Sequence, residues 1–263
     1  MKELEMNYLE IKKASYTSTP EPVSPLSKRL PSFVFYCRFI GVVVQAAYRA
    51  KKGRYPDDVW GLDSLRILRL LEDAGLRFNI TGFDHMEHLG RPCVFIGNHM
   101  SIMETLVLPA IVLPYTRVTF VVKESLLHYP VFKHVMRSRN PVAVTRQNPR
   151  QDLKTVLSEG SERLSNGISV IVFPQTTRST GFDAEHFGSI GTKLARKADA
   201  PIIPVALKTD AWQNGKWSKD FGGFVPDMPV NIAFGEPITI SGKGTAEHQQ
   251  IVDFITGKLD EWR

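Results

Sequence analysis

The sequence predicts an α/β fold: a single domain with a largely buried mixed sheet flanked by helices, preceded by an N-terminal membrane-associated helical pair. Three observations predict it. From about Phe78 onward, short and nearly continuous apolar runs rich in Val and Ile read as strands buried on both faces. Segments of helical period alternate with those runs, as in sheets whose strands are joined through helices. Ahead of them lies a stretch, Lys28 to Arg54, that is at once the most basic and the most apolar part of the chain.

The 263 residues, 43% hydrophobic and 23% charged, suffice for a sizeable core and exclude a disordered, collagen-like or polytopic membrane chain. Two cysteines, Cys37 and Cys93, are too few for a disulfide scaffold and fit a reducing compartment. Residues 1–27 are expected to be a flexible lead, because Met1 to Glu10 is polar with three acids and Pro20, Pro22 and Pro25 follow closely. That start lacks the charged-then-apolar order of a secretory signal peptide.

Residues 28–77 are expected to form the helical pair. Lys28, Arg29, Arg38, Arg49, Lys51, Lys52 and Arg54 occur there with no acid among them, so this segment accounts for the formal net charge of +6. The apolar run LPSFVFYCRFIGVVVQAAY, Leu30 to Tyr48, sits inside it. A nucleic-acid arm would not mix so many large apolar side chains with its cations, so nucleic acid is set aside as a partner. The run is about as long as a bilayer core is thick, but Arg38 at its centre costs roughly 3 kcal/mol against roughly 4 gained by the apolar side chains. In helical phase Arg38, Gly41, Gln45, Arg49 and Lys52 make one narrow polar stripe. The expectation is a helix in or dipping into the interface, its cationic stripe toward an anionic membrane surface. A core helix with a solvated edge shares the same period. The amphipathic WGLDSLRILRLLEDAGLRF follows as the second helix.

Residues 78–263 form the α/β domain. PCVFIGN, VTFVVK, NPVAVT, ISVIVF, APIIPVAL and PVNIAF read as its strands. Ile102–Leu113, Leu126–Arg137, Arg150–Leu164 and Gly188–Lys197 read as helices between them, and Glu247–Arg263 as a closing amphipathic helix.

Common phosphate-loop, dinucleotide and nucleophile-elbow signatures are absent from the chain. His85, His88, Cys93 and His99 lie close together, but their spacing fits no standard zinc arrangement, which weakens a metal-dependent lipid hydrolase as a reading. The sharper feature is His99 with Glu104 five positions on. A second such pair, His248 and Asp253, lies in a polar helical stretch where solvation explains it. His99 instead ends an apolar run and precedes a helical one, the sheet-edge position where open α/β sheets bind ligands. From the first turn of that helix Glu104 can reach back to one imidazole nitrogen, leaving the other as general base. Ser101 would have to face His99 to act as a nucleophile; direct activation of a substrate hydroxyl is the simpler reading.

A second sheet edge is marked by ISVIVFPQTTRST, where a strand runs into Gln175, Thr176, Thr177 and Arg178, a rim suited to an anion. Arg146 follows NPVAVT in the same way, while Lys133, Arg137, Arg139 and Arg150 are expected on a solvated or membrane-facing surface.

These features in this order resemble the glycerolipid acyltransferase family typified by 1-acylglycerol-3-phosphate acyltransferases. Asn98-His99 through Glu104 resembles its Asn-His-x-x-x-x-Asp block, and Lys123-Glu124 through Arg146 its second block. Phe173-Pro174-Gln175-Thr176-Thr177-Arg178-Ser179 is similar to Phe-Pro-Glu-Gly-Thr-Arg-Ser, and Ala200 to Val205 to the apolar, proline-bearing fourth block. The resemblance implies a membrane-associated O-acyltransferase that moves a fatty acyl group from an acyl thioester to a hydroxyl of a lysophospholipid. The acceptor is 1-acylglycerol-3-phosphate by default, and the donor is acyl-CoA or acyl carrier protein. The enzyme would work at the cytoplasmic face of a membrane (the inner one in a bacterium), with neither metal nor further cofactor. His99 would be the general base and Glu104 its partner. Arg146, Arg178 and Lys123 would hold the acceptor phosphate, with Gln175, Thr176 and Thr177 at the same rim. Two departures stand out: Glu104 where the family has Asp, and Gln175-Thr176 where it has Glu-Gly. The second leaves glycerol 3-phosphate or a lyso-aminolipid open as acceptor. It also leaves open a noncatalytic, lipid-binding member of the same fold.

Overall fold

The computed structural model describes residues 9–19, 23–175, 177–215, 220–226 and 228–263. The strands are β1 (Ser15–Thr17), β2 (Arg77–Thr81), β3 (Val94–Gly97), β4 (Val118–Lys123), β5 (Val142–Val144), β6 (Ser169–Val172), β7 (Ile202–Lys208) and β8 (Pro229–Phe234), of which β3 to β8 come from apolar runs rich in Val and Ile. They form one sheet in the order β1-β2-β8-β7-β3-β6-β4-β5. β1 on β2 and β7 on β8 are antiparallel; the other neighbours are parallel. The parallel set β7, β3, β6, β4 and β5 therefore brings its C-terminal ends to one edge.

Strand alternation sends side chains into two cores. Phe95 and Ile171 join one apolar cluster, while their neighbours Val94, Ile96, Val170 and Val172 join the other. The first cluster is covered by α2 (Pro31–Lys51), α3 (Asp57–Asp73), α5 (Met103–Val112) and α6 (Phe132–Ser138), the second by α7 (Pro149–Ser165), α8 (Ile190–Ala198) and α9 (Thr245–Glu261). Two short helices, α1 (Pro25–Arg29) and α4 (Asp84–Glu87), complete the α-helices among the described residues. Local signals account for the helix starts. Pro31 and Pro149 stand in first turns, Asn148 accepts from the Gln151 N–H at 3.2 Å, and Asp57 and Asp58 face the positive end of the α3 dipole.

Several elements differ from the sequence expectation. The described part of the lead, residues 9–19 and 23–27, is not free: β1 adds an edge strand to β2, and Pro25 opens a short helix. Neither strand stood out in the pattern, because β1 is three residues long and β2 alternates two buried apolar residues with polar ones. The helix expected over Leu126–Arg137 is split into a 3-10 turn, Glu124–Leu127, and α6. Pro130 interrupts the run, and Val131 takes a left-handed φ of 67°. Arg139 is not a surface cation. It is buried, donates to Asp57 Oδ1 at 2.6 Å and to the Tyr55 carbonyl, and lies over the rings of Tyr55 and Trp60 at 5.3 and 5.2 Å.

The polar stripe of α2 runs along the outer edge of its contact with α3: Arg38, Gly41, Gln45 and Lys52 are exposed, while Arg38 pairs with Asp73 at 2.9 Å and Arg49 with Asp63 at 3.1 Å. Phe35, Phe39, Ala46 and Ala47 pack inward, which leaves Leu30, Phe33, Ile40, Val44 and Tyr48 also exposed, along the side next to the stripe. The stripe was expected; the exposed apolar side beside it was not. At 21 residues α2 is long and apolar enough to cross a bilayer by length and composition.

Candidate active site

The site is built from the end of β3 outward. Gly97 lies so close to β7 that a Cβ there would meet the Val205 carbonyl at 2.9 Å. Asn98 then uses its side-chain amide as a peptide would: Nδ2 donates to the Leu207 carbonyl at 2.7 Å and Oδ1 accepts from the Leu207 N–H at 2.9 Å. This fixes the chain where it leaves the sheet and presents His99 at the edge.

His99 is held on several sides. Its N–H donates to Gln175 Oε1 at 2.5 Å, and its carbonyl accepts from the Ser179 N–H at 3.0 Å. The imidazole stacks on Phe173 with ring centroids 4.5 Å apart and planes within 7°. Nδ1 is buried and lies 3.6 Å from Glu104 Oε2, an ion-pair separation just beyond hydrogen-bond reach.

Glu104, in the first turn of α5, is completely buried. Its Oε1 accepts from the Met100 N–H at 2.7 Å, the Ser101 N–H at 3.0 Å and the Thr209 hydroxyl at 2.7 Å. Burial by itself would raise its pKa. The His99 imidazole, the Thr209 hydroxyl and the Ser101 N–H together outweigh that and hold the carboxyl below the usual range. The group stays ionised behind the imidazole. Ser101, buried, donates toward Thr209 Oγ1 at 3.1 Å and accepts from the Met103 N–H at 3.1 Å. It caps the helix start and is not presented to His99.

The basic residues come from other strand ends along the same edge. Arg146 follows β5 with a left-handed φ of 60°. Asp152 stabilises that turn, its carboxylate accepting from the N–H groups of Thr145 and Arg146, each at 2.8 Å. The strain of such a φ is characteristic of functional positions. Arg178, after β6, donates from Nη2 to Asp220 Oδ1 at 2.6 Å. Arg146 and Arg178 sense each other: partial burial first, and the Arg178 charge second, press the Arg146 guanidinium below its usual pKa, with Asp152 opposing. Lys123 ends β4 on the same edge with an exposed side chain. Thr177 is exposed at the rim, and Thr176 lies outside the described residues.

The structure thus brings His99, Glu104, Gln175, Arg146 and Arg178 to one sheet edge. The histidine–cysteine cluster is dispersed: His85 Nδ1 contacts the Phe234 carbonyl at 2.9 Å, while Cys93 and His99 stand at opposite ends of β3. Sequence reasoning missed Thr209 and Asp220, which lie 105 positions from Glu104 and 42 from Arg178 in a stretch without motif. The apolar strand that ends in Lys208 was the one available pointer to Thr209.

A buried carboxylate stands behind an imidazole at the end of β3, with guanidiniums after β6 and β5 on the same sheet edge, a set of groups suited to proton transfer beside an anion. The chain belongs to the acyltransferase family, whose model matches residues 77–208, half of its length. It is 29% identical over 172 residues, 65% of this chain and 63% of the relative, to the 1-acyl-sn-glycerol-3-phosphate acyltransferase of Pseudomonas aeruginosa. It is 27% identical over 180 residues, 68% of this chain and 62% of the relative, to the human 1-acyl-sn-glycerol-3-phosphate acyltransferase beta. The chain spans less than two thirds of the length of these curated relatives. Its fold matches the crystal structure of the 1-acyl-sn-glycerophosphate (LPA) acyltransferase of Thermotoga maritima. The TM-score is 0.65 at 22% identity, covering 89% of this chain and 95% of that one.

Proposed function

We propose that this protein is a membrane-associated O-acyltransferase that moves a fatty acyl group from an acyl thioester to the free hydroxyl of 1-acylglycerol-3-phosphate. The observation that carries the reading is the imidazole of His99 with its Nδ1 turned to the buried carboxylate of Glu104 at 3.6 Å. Nε2 then accepts the acceptor's hydroxyl proton as the oxygen attacks the thioester carbonyl. The tetrahedral adduct collapses with cleavage of the C–S bond, and the leaving thiolate takes the proton back from the imidazolium. Ionised Glu104 stabilises that imidazolium while it lasts. Arg146 and Arg178, with Lys123 on the same edge, hold the acceptor phosphate. The relatives' names support the phosphate-bearing acceptor, and the carrier of the thioester is acyl-CoA or acyl carrier protein.

Membrane association rests on α2. Its exposed apolar side chains enter the headgroup region, while Lys28 and Arg29 before it, Lys51 at its last position and Lys52 and Arg54 after it, all exposed, meet anionic lipid. The expected polar stripe, with Arg38 exposed on it, lies beside this apolar side.

The test is His99→Ala, assayed by thioester consumption with lysophosphatidate as acceptor. Transfer is expected to fall by roughly 10³-fold or more, with the melting temperature and vesicle binding retained. Activity near wild type in that variant would sink the mechanism.

A further inference from the structure

Asp220 stands against Arg178 at 2.6 Å, and the pair is neither sealed off nor fully solvated: the two side chains are 17% and 27% exposed for Arg178 and Asp220. The segment that carries Asp220 is firmly tied at its base. Trp212 bridges Phe224, the Gln213 N–H donates to the Gly223 carbonyl at 2.9 Å, and the Val225 N–H to that of Ala211 at 2.9 Å. Asn214 Nδ2 donates to the Met100 carbonyl at 3.0 Å, next to His99, and the Tyr36 hydroxyl of α2 to the Gly222 carbonyl at 2.7 Å. The backbone therefore keeps a carboxylate stationed at Arg178. The side chain itself is short and reaches solvent, so an incoming anion can meet the pair.

We propose that Asp220 is a specificity residue of the acceptor site, its carboxylate holding the Arg178 guanidinium until the acceptor's phosphate takes its place. This rests on the reading of Arg178 as a phosphate contact. A phosphomonoester carries more charge than a carboxylate and has three terminal oxygens for the Arg178 guanidinium, and the positive field of Arg146, felt at Arg178, adds to its attraction. It wins the exchange. Neutral headgroups cannot displace the carboxylate, and singly charged phosphodiesters gain less from doing so. Asp220 thereby sets a threshold of negative charge that an acceptor must exceed.

The experiment is Asp220→Asn in the full chain, with Asp220→Glu as the charge-conserving control. With lysophosphatidate the acceptor KM is expected to fall by about fivefold in Asp220→Asn, the scale of a partly exposed ion pair removed from competition. The donor KM and kcat stay put, and Asp220→Glu stays near wild type. An unchanged or raised acceptor KM in Asp220→Asn overturns the proposal, a rise being what loss of a residue that merely orients Arg178 would give. Calorimetric titration with sn-glycerol 3-phosphate, without donor, separates this from the acceptor reading itself. Should the wild type fail to acylate lysophosphatidate, the proposed activity falls, yet tighter binding to Asp220→Asn still supports the exchange. Equal or weaker binding to Asp220→Asn overturns it.

Discussion

Glu104 is a buried element of the fold and, on the proposed function, the counter-charge of a proton-transfer pair. Its folded-state pKa lies below the value of about 4.3 for an unperturbed glutamate, so the stabilisation it contributes is full above that pH. It is lost as the pH falls through the depressed folded value. Glu104→Gln is therefore expected to cost roughly 1–3 kcal/mol near pH 7, a penalty that shrinks below about pH 4. Denaturant unfolding measured across that range checks it, and a penalty constant with pH would contradict an ionised Glu104. Acyl transfer in the same variant should drop by at least about 10²-fold, since the imidazolium loses its counter-charge. The His99–Glu104 pair was legible in the sequence because both residues lie within one strand-to-helix turn. Thr209 and Asp220 were not, since nothing local marks a residue whose partner is brought by the fold.

At the scale of elements, α2 is the instructive case. Periodicity found its polar stripe but not the ion pairs made from it, because those depend on Asp63 and Asp73, 14 and 35 residues from the arginines they meet. An apolar side stays outside next to the stripe, and a consequence follows for mutagenesis. Ile40→Ser with Val44→Ser is expected to leave the melting temperature unchanged while weakening binding to anionic vesicles in a flotation assay. Phe35→Ala, buried against Trp212 with ring centroids 5.1 Å apart, should instead destabilise the fold by roughly 3–5 kcal/mol. If both behave alike, the outer face serves packing and not lipid. The split before α6 has a similar lesson: the apolar period was correct on either side, and Pro130 decided where it broke.

For the whole molecule, the central strands were readable because each is an apolar run buried on both faces, and their parallel order places the candidate residues at one edge. The sheet's far side was not readable. β1 is three residues long and is recruited by β2 across more than 60 positions, through Ser15↔Thr81 to Thr17↔Asn79. Tyr16, buried there, donates to Glu72 at 2.5 Å. Removing residues 1–19 is expected to lower the melting temperature and cause concentration-dependent light scattering, because β2 becomes an open edge. Unaltered melting and a monodisperse sample would show that β1 is dispensable.

The double hydrogen bond from Asn98 to Leu207 has a consequence for how the dyad is kept in tolerance. Leu207 grips the residue before His99, and Thr209, two positions along the same chain, grips Glu104. The outgoing end of β7 thus acts as a jig: the base and its counter-charge are both indexed to one short length of backbone. Their separation is referenced to the middle of the sheet, where β7 pairs β3, and not to the helices of the outer layer. On the proposed function, motion of α2 against a bilayer can then be taken up without resetting the gauge between imidazole and carboxylate.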